Sequence, residues 1–205
     1  MSAVEQWEQI NRRLTDGLIE SKKLFHGLMQ QAFTGALTAV WEAAHADEIG
    51  AEQARQQRLP RLVLLDFVRE RQQRRPKEPV LVTSLMKYAF LLQKEGITGQ
   101  TLYHFVPYKY GPFAKELYQD LEVLAADGLL TVTETNAEKT EITQVPSRHA
   151  TVEEAVAELP ADLRANITAV VERYGDLNHH ELLAIVYQKF PAYATKSRLR
   201  YYSSR

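Results

Sequence analysis

Large apolar side chains recur at seven-residue intervals through the first 32 residues, and this spacing constrains the fold more than any other feature of the sequence. The two interleaved registers comprise Val4, Asn11, Leu18, Phe25 and Ala32, and Trp7, Leu14, Ser21 and Leu28. Two such registers are typical of a long amphipathic helix with a coiled-coil seam. One helix cannot bury so narrow a stripe alone, so the spacing predicts packing against another helix of this chain or of a partner.

Asn11 lies in the inner register of this helix, and two explanations of it stay open. A polar Asn at an inner coiled-coil position lowers stability but disfavours wrong registers. Asn11 and Ser21 are equally compatible with an ordinary helix of a bundle. On the coiled-coil interpretation, we predict that seven apolar residues bind a partner: Trp7, Leu14, Leu18, Phe25, Leu28, Phe33 and Trp41.

Composition excludes several kinds of site. The 205 residues are 45% hydrophobic and 25% charged, with a formal net charge of −1. No stretch approaches the apolar run of a membrane span, and the first residues lack the blocks of an export signal. The chain has no cysteine, which excludes disulfides and thiolate metal sites and fits a reducing compartment. We therefore expect a soluble, cytoplasmic protein without membrane contact.

Glycine and polar runs divide the chain into three predicted parts. Gly35 is expected to interrupt the first helix, and the polar run from Ala46 to Arg58 is the best candidate for a linker or a domain boundary. We predict a helical docking segment over residues 1–50, a central domain over 51–150, and a C-terminal helical extension packed on that domain over 151–205.

The central part contains three predicted helices, over residues 60–75, 83–96 and 112–127. The first and the third open on a proline, which fits the first turn of a helix, and the second opens on a Thr-Ser cap. Gly128 supplies the left-handed residue that ends many helices.

Two β-prone segments follow the third helix, at residues 129–135 and 141–145, and their spacing predicts a β-hairpin. Three helices followed by a hairpin is the order of a winged helix. The predicted fold is therefore mainly α, with a winged-helix-like domain, a β-hairpin wing and C-terminal helices.

The last part is predicted to be helical. Thr151 with Glu154, and Asn178 with Glu181, have the spacing of capping boxes. Each pair precedes apolar residues at helical spacing, so each marks the start of a predicted helix.

Residues 24–45 carry a pattern that is found in a known family. The run Leu-Phe-His-Gly-Leu-Met-Gln-Gln-Ala-Phe-Thr-Gly-Ala-Leu-Thr, continued to Trp41, resembles the C-terminal end of the specificity subunit of type I restriction–modification enzymes. In that family a long helix ends in a leucine-rich stretch and an Ala-Phe-x-Gly-Glu-Leu pattern; here Ala36 replaces the usual Glu, and Glu42 stands where Arg is common. The resemblance implies a coiled-coil element that docks on methyltransferase-type subunits, without the family's target-recognition domains.

A second resemblance covers residues from about 60 to 197. The segment Tyr108-Lys109-Tyr110-Gly111-Pro112 looks like the Tyr-Gly-Pro signature of phage-associated SocA-like (Panacea) antitoxins and related winged-helix proteins. This resemblance implies a regulatory or adaptor domain of mobile or defence loci, with no chemistry of its own.

The signature also has a direct physical interpretation. Gly111 permits a tight turn, Pro112 fixes the first helical residue, and nearby aromatic side chains pack the helix entry. Alternatively, Lys109 and the tyrosine phenols face outward beside the helix N-terminus, which favours a carboxylate or a phosphate. Both interpretations stay open.

Basic residues cluster at 55–77 and in the last ten residues. Such clusters either bind nucleic acid or form a surface that faces water. The predicted third helix carries one lysine against four acids, which opposes contact with a phosphate-lined groove. We therefore expect the chain to contact DNA as part of a larger assembly rather than on its own. The candidate nucleic-acid contacts are Arg71, Arg74, Arg75, Lys115, Lys139, Arg198 and Arg200.

No arrangement of residues predicts catalysis. The six histidines lack the spacing of a metal site, and His179 with His180 fit the first turn after the Asn178 cap. The sequence also lacks a phosphate-cradling glycine loop and a nucleophile motif. We expect no enzyme activity, no cofactor and no metal.

Two hypotheses of function follow. The first is a non-catalytic accessory or specificity-like adaptor of a restriction–modification or phage-defence system, which docks through its N-terminal helices and recognises protein or DNA through a winged-helix domain. The second is an antitoxin or DNA-binding transcriptional regulator that acts as a homodimer. The partner of the first 45 residues distinguishes them, because it is a methyltransferase-type subunit in one and a second copy of the chain in the other.

Overall fold

The computed structural model describes residues 3–33, 35, 38–96, 101–136 and 139–197. Its contacts divide the chain into an N-terminal unit, Met1–Ala54, and a C-terminal unit, Arg55–Arg205. The fold is mainly helical with a small antiparallel sheet, which confirms the predicted fold class at that level. In the described ranges, no helix combines the length and the apolar character needed to cross a membrane.

The N-terminal unit begins with the long helix that the heptad spacing predicts. Helix α1, Ala3–Phe33, has 31 residues. It ends just before Gly35, whose φ of 72° lies in the left-handed region, so the predicted interruption is confirmed. Helix α2, Ala39–Ala44, follows, and the ring of Trp41 stacks on that of His45 with 4.4 Å between centroids.

The polar run that was predicted to be a linker is helical. Helix α3, Ala46–Arg74, continues through this run and through Pro60, so the helix start predicted at that proline is also wrong. Alanine, glutamate, glutamine and arginine favour helix, and their propensity outweighs the polarity that suggested a linker. The division between the two units falls within α3, after Ala54.

In its described residues, the C-terminal unit combines five further helices with two small sheets. Its helices are α4, Val82–Leu91, extended by a π-helical turn, Leu92–Gly96; α5, Lys115–Ala126; α6, His149–Ala157; α7, Ala161–Tyr174; and α8, His179–Lys189. Its strands are β1, Val80–Leu81; β2, Val106–Tyr108; β3, Gly111–Phe113; β4, Leu130–Asn136; and β5, Lys139–Gln144. Short 3₁₀ turns lie at Pro146–Arg148 and Pro191–Ala194.

Helix α4 is the centre of the core. Helices α7 and α8 and strands β3 and β5 all contact it, so almost every α4 side chain is buried. Its Phe90 ring meets Phe105, Phe190 and Tyr193 in edge-to-face contacts, with centroids 5.3, 5.0 and 4.6 Å apart. Burial of these apolar surfaces is the main force that holds the unit together.

The predicted hairpin is present and belongs to a larger sheet. Strands β4 and β5 pair antiparallel, while residues 137 and 138 of their connection lie outside the described residues. Strand β1, which the sequence did not predict, pairs with β5 and gives the strand order β1-β5-β4. The sheet therefore joins the residues before α4 to the hairpin after α5.

The third predicted helix begins later than expected. Pro112 lies in β3, and α5 starts at Lys115, so the proline does not open the helix. The other end is as predicted: Gly128 has a φ of 67°. The Gly128 amide donates to the Ala125 carbonyl and the Leu129 amide to the Leu124 carbonyl, both at 3.0 Å, which is a Schellman stop.

One of the predicted helix caps is confirmed, and two are wrong. Asn178 Oδ1 accepts hydrogen bonds from the His180 and Glu181 amides at 2.9 and 3.0 Å, and the Glu181 carboxylate accepts from the Asn178 amide. The Thr-Ser pair does not cap α4, which already begins at Val82. Thr151 does not cap α6, because the preceding 3₁₀ turn runs into a helix that begins at His149.

Candidate functional site

The Tyr-Gly-Pro signature forms a tight hairpin on the C-terminal unit. Strands β2 and β3 pair antiparallel with Tyr108 opposite Gly111, and Lys109 and Tyr110 form the turn between them. Gly111 has a φ of 99°, a backbone conformation that side chains with a Cβ rarely adopt. The tight turn predicted from the glycine is therefore confirmed.

Close packing is a second reason for glycine at this position. A Cβ atom on Gly111 would lie 2.9 Å from Leu183 Cδ1 on α8 and 3.8 Å from Lys87 Cε on α4. The first distance is shorter than van der Waals contact allows. The hairpin thus lies directly against α4 and α8 because Gly111 has no side chain.

Lys87 is the most unusual polar residue of this region. Its side chain is only 1% exposed, and its ammonium donates a 2.8 Å hydrogen bond to the Thr83 carbonyl oxygen. Burial lowers the pKa of Lys87 to about 7, because removal from water disfavours the charged form. No described carboxylate forms an ion pair with it.

Two adjoining clefts surround the hairpin, with volumes of about 270 and 310 Å³. Both clefts are lined by Thr83, Tyr110 and Thr140. We call them together the signature cleft. The remaining side chains of its wall are Leu81, Met86, Lys87, Tyr108, Lys109, Pro112, Phe113, Tyr118, Lys139, His179 and His180.

The wall of the signature cleft is basic. Among the described residues that line it are three lysines and two histidines, but no aspartate or glutamate. His179 Nδ1 lies 3.3 Å from Thr83 Oγ1. Burial, followed by the charges of Lys87 and His180, lowers the pKa of His179 to about 4, so this imidazole is neutral near pH 7. His179 therefore adds no positive charge to the cleft near pH 7.

The lysines of the wall differ in their surroundings. Lys109 Nζ lies 5.5 Å from the centre of the Tyr108 ring, in a cation–π contact. Lys139 Nζ is paired with Glu141 at 2.7 Å. Lys87 alone of the three is buried, so its interaction with a bound anion would be screened least by water.

The predicted partner-binding residues of the N-terminal unit are exposed. Trp7, Leu14, Leu18, Phe25, Leu28 and Trp41 are all more than half exposed, from 54% for Leu28 to 66% for Leu14. The flanking Leu24 and Met29 are also exposed and extend the stripe sideways. The side chains of Asn11 and Phe33 lie outside the described part of the chain.

The candidate nucleic-acid contacts lie on separate elements. Arg71 and Arg75 pair with Glu78 at 3.1 Å, and Arg74 and Arg75 pair with Asp176 at 3.2 and 3.1 Å. Lys115 is exposed in the first turn of α5, and Lys139 is in β5. Arg198 and Arg200 lie outside the described residues. These three arginines, two at the end of α3 and one directly after it, would have to give up internal carboxylates to bind phosphate.

Sequence reasoning missed Lys87 as a site residue. The signal was present, because Lys87 interrupts an apolar run from Leu85 to Leu92 that covers every face of a helix. Such a helix is buried on all sides, and a lysine within it is buried as well. The signature, by contrast, was found directly from its residues.

Comparison of the chain with protein-family models gives no match, and comparison with curated proteins also gives none. The described residues contain no group of three or more histidine, aspartate or glutamate side chains placed to hold a metal ion. The interpretation of the site therefore depends on its geometry and charge.

Proposed function

We propose that the chain is a non-catalytic adaptor of a restriction–modification or phage-defence system, which docks on a partner subunit through the apolar stripe of α1. The observation that carries this proposal is the exposure of Trp7, Leu14, Leu18, Phe25 and Leu28 along one helix. At 1.5 Å per residue, the stripe is about 32 Å long. Exposed apolar surface of that extent is typical of an interaction site.

The pattern around the stripe favours a partner that contributes more than one helix. Leu24 and Met29 occupy the two heptad positions beside the inner registers, where a two-stranded coiled coil usually carries paired charges. Of the eight flanking positions between Glu8 and Gln31, only Glu8 and Lys22 are charged. A wider apolar face fits a groove between helices, as expected for docking on the methyltransferase-type subunit that the resemblance implies.

The C-terminal unit is proposed to be a winged-helix recognition domain. The element order of helix, strand, two helices and two strands supports this assignment, and so does the strand order β1-β5-β4, in which β1 joins the wing hairpin. The short hairpin of β2 and β3 is an addition between α4 and α5.

Protein recognition is better supported than DNA recognition for this unit. The α5 segment carries Lys115 against four acids, of which Asp120 alone is paired with a described arginine, Arg61, at 2.9 Å. A helix with excess negative charge opposes the approach of phosphates. The chain is therefore expected to contact DNA only as part of an assembly.

Co-expression with a type I methyltransferase subunit from the same genome tests the docking proposal. We expect the wild-type chain to co-purify with that subunit, and Leu18→Asp or Phe25→Asp to abolish co-purification. The matched control is Lys23→Asp, which adds the same carboxylate on the opposite, exposed face of α1. Equal recovery of the subunit with all four chains contradicts the proposal.

Light scattering of the purified chain separates the adaptor from the homodimeric regulator. The adaptor is expected to be a monomer in the absence of its partner. A stable dimer that Leu18→Asp dissociates, and that shifts a fragment of its own promoter, would favour the antitoxin or regulator instead.

A further inference from the structure

We propose that the signature cleft binds a carboxylate group from an acidic segment of a partner protein. This inference rests on the proposed role of the C-terminal unit as a recognition domain and is independent of the α1 stripe. It assigns the Tyr-Gly-Pro hairpin a ligand chemistry in addition to its role as a turn.

Charge complementarity is the first argument. The chain as a whole has slightly more acidic than basic residues, yet the described wall of the cleft has three lysines and no acid. Lys139 is paired with Glu141, so Lys87 and Lys109 are the lysines of the wall without an acidic partner among the described residues. Three tyrosines and two threonines add hydroxyl groups that can donate hydrogen bonds. Such a wall favours an anionic group that accepts several hydrogen bonds.

The buried ammonium of Lys87 is the second argument. It carries three N–H donors, and the described residues supply one acceptor, the Thr83 carbonyl. Lys87 lines one of the two clefts and Thr83 lines both, so the bonded pair lies at the cleft. A carboxylate in the cleft would supply the missing acceptor and the counter-charge, which together stabilise a charged lysine away from water.

The size of the cleft favours a single carboxylate over a nucleic acid. A volume of about 270 Å³ accommodates one side chain, and Met86 and Phe113 form an apolar part of its wall. A duplex would also have to approach the acidic α5. At the N-terminus of α8, which adjoins the cleft through His179 and His180, two amides that could bind phosphate already donate to Asn178.

The cleft can be tested with a hexaglutamate peptide and the full-length chain labelled uniformly with nitrogen-15 and with carbon-13 at lysine. We expect saturable shifts of the Lys87 side-chain resonance and of the Thr83 and Tyr110 amides as the peptide is added. Lys87→Met should weaken hexaglutamate binding about tenfold or more, because a charge-assisted hydrogen bond is lost. Lys87→Gln, which keeps a polar group of similar length, should also weaken it.

The matched control is Lys94→Met, which removes an exposed lysine in the π-helical turn after α4 and should leave binding unchanged. Circular dichroism establishes that each variant is folded. The inference is overturned if hexaglutamate gives no saturable shift, or if Lys94→Met weakens binding as much as Lys87→Met. It is also overturned if an oligothymidine, but not the peptide, shifts the Lys87 resonance. Co-purification through α1 is a separate readout, so failure here leaves the docking proposal in place.

Discussion

The ammonium of Lys87 donates its 2.8 Å hydrogen bond to the carbonyl oxygen of Thr83, one turn earlier in the same helix. This single neutral acceptor replaces the water that surrounds a lysine in the unfolded chain. Because the Lys87 side chain is 1% exposed, the exchange lowers the stability of the C-terminal unit when the cleft is empty. A residue that opposes folding in this way is expected to serve binding.

The buried lysine makes the free energy of unfolding depend on pH. The pKa of Lys87 is about 7 in the folded chain and near 10.5 when unfolded, so between these values the unfolded chain binds more protons. The free energy of unfolding therefore rises with pH across this window, and the cost of burying the charge is complete below pH 7. Between the lower and the upper end of this pH window, the contribution of Lys87 to the free energy of unfolding changes by about 4 to 5 kcal/mol. Urea titrations at several pH values should show this rise in the wild type and a smaller one in Lys87→Met.

The same variant separates a binding role for Lys87 from a structural one. Methionine fills a similar volume without a buried charge, so Lys87→Met should be at least as stable as the wild type near pH 7. Thermal unfolding followed by circular dichroism checks this. A Lys87→Met chain that is clearly less stable would mean that the lysine holds the fold together.

Gly111 is expected to be intolerant of any side chain. Gly111→Ala combines a strained positive φ with a Cβ only 2.9 Å from Leu183 Cδ1. We expect a loss of about 2 to 4 kcal/mol in the free energy of unfolding, from backbone strain and overpacking together. The control is Gly50→Ala in α3, where a new Cβ meets nothing within 4 Å. Similar urea midpoints for Gly111→Ala and the wild type would contradict the observed packing.

Two capping patterns that look alike in the sequence should respond differently to mutation. Asn178→Ala removes the acceptor of two backbone amides and should lower the free energy of unfolding by about 1 to 2 kcal/mol. Thr151→Ala should change it by less than about 0.5 kcal/mol, because Thr151 is exposed inside α6. Equal losses in urea titrations would indicate that α6 begins at Thr151 after all.

The ion pairs of α3 lead to a prediction about DNA. Arg74 and Arg75 donate hydrogen bonds to Asp176, which hold the pKa of that carboxyl below its ordinary value. We expect the wild-type chain alone to show no duplex binding by fluorescence anisotropy at about 0.15 M salt. Asp176→Ala should release Arg74, leave Arg75 paired with Glu78 alone, and give measurable, strongly salt-dependent binding at low salt.

A matched control for this measurement is Asp162→Ala, which changes the net charge equally at an exposed position on α7. It should leave DNA binding as in the wild type. Tight, sequence-specific binding by the wild-type chain would instead support the transcriptional regulator.

Local patterns in the sequence predicted much of the fold. The heptad spacing gave α1, Gly35 and Gly128 marked helix ends, and the β-prone segments gave the hairpin of β4 and β5. Each of these depends on neighbouring residues only, through periodicity, backbone freedom or β-propensity.

Features that depend on distant residues were missed. Strand β1 has only two residues and is defined by its pairing with β5, about 60 residues later. Pro112 was assigned to a helix because the pairing of β3 with β2 cannot be recognised from a proline and a glycine alone. The clefts beside Lys87 need α4, α8 and both hairpins in place, so the sequence could locate the signature but not the wall that faces it.

Trp7 provides the most direct measurement of docking through α1. The chain has two tryptophans, Trp7 and Trp41, so Trp41→Phe leaves one reporter in the stripe, and fluorotryptophan labelling makes it visible in a complex. With a saturating type I methyltransferase subunit, the fluorine resonance of Trp7 should move and lose its sensitivity to exchange of water for heavy water. Leu18→Asp should prevent both changes. A Trp7 resonance that keeps its position and its solvent sensitivity at saturation would contradict docking through this stripe.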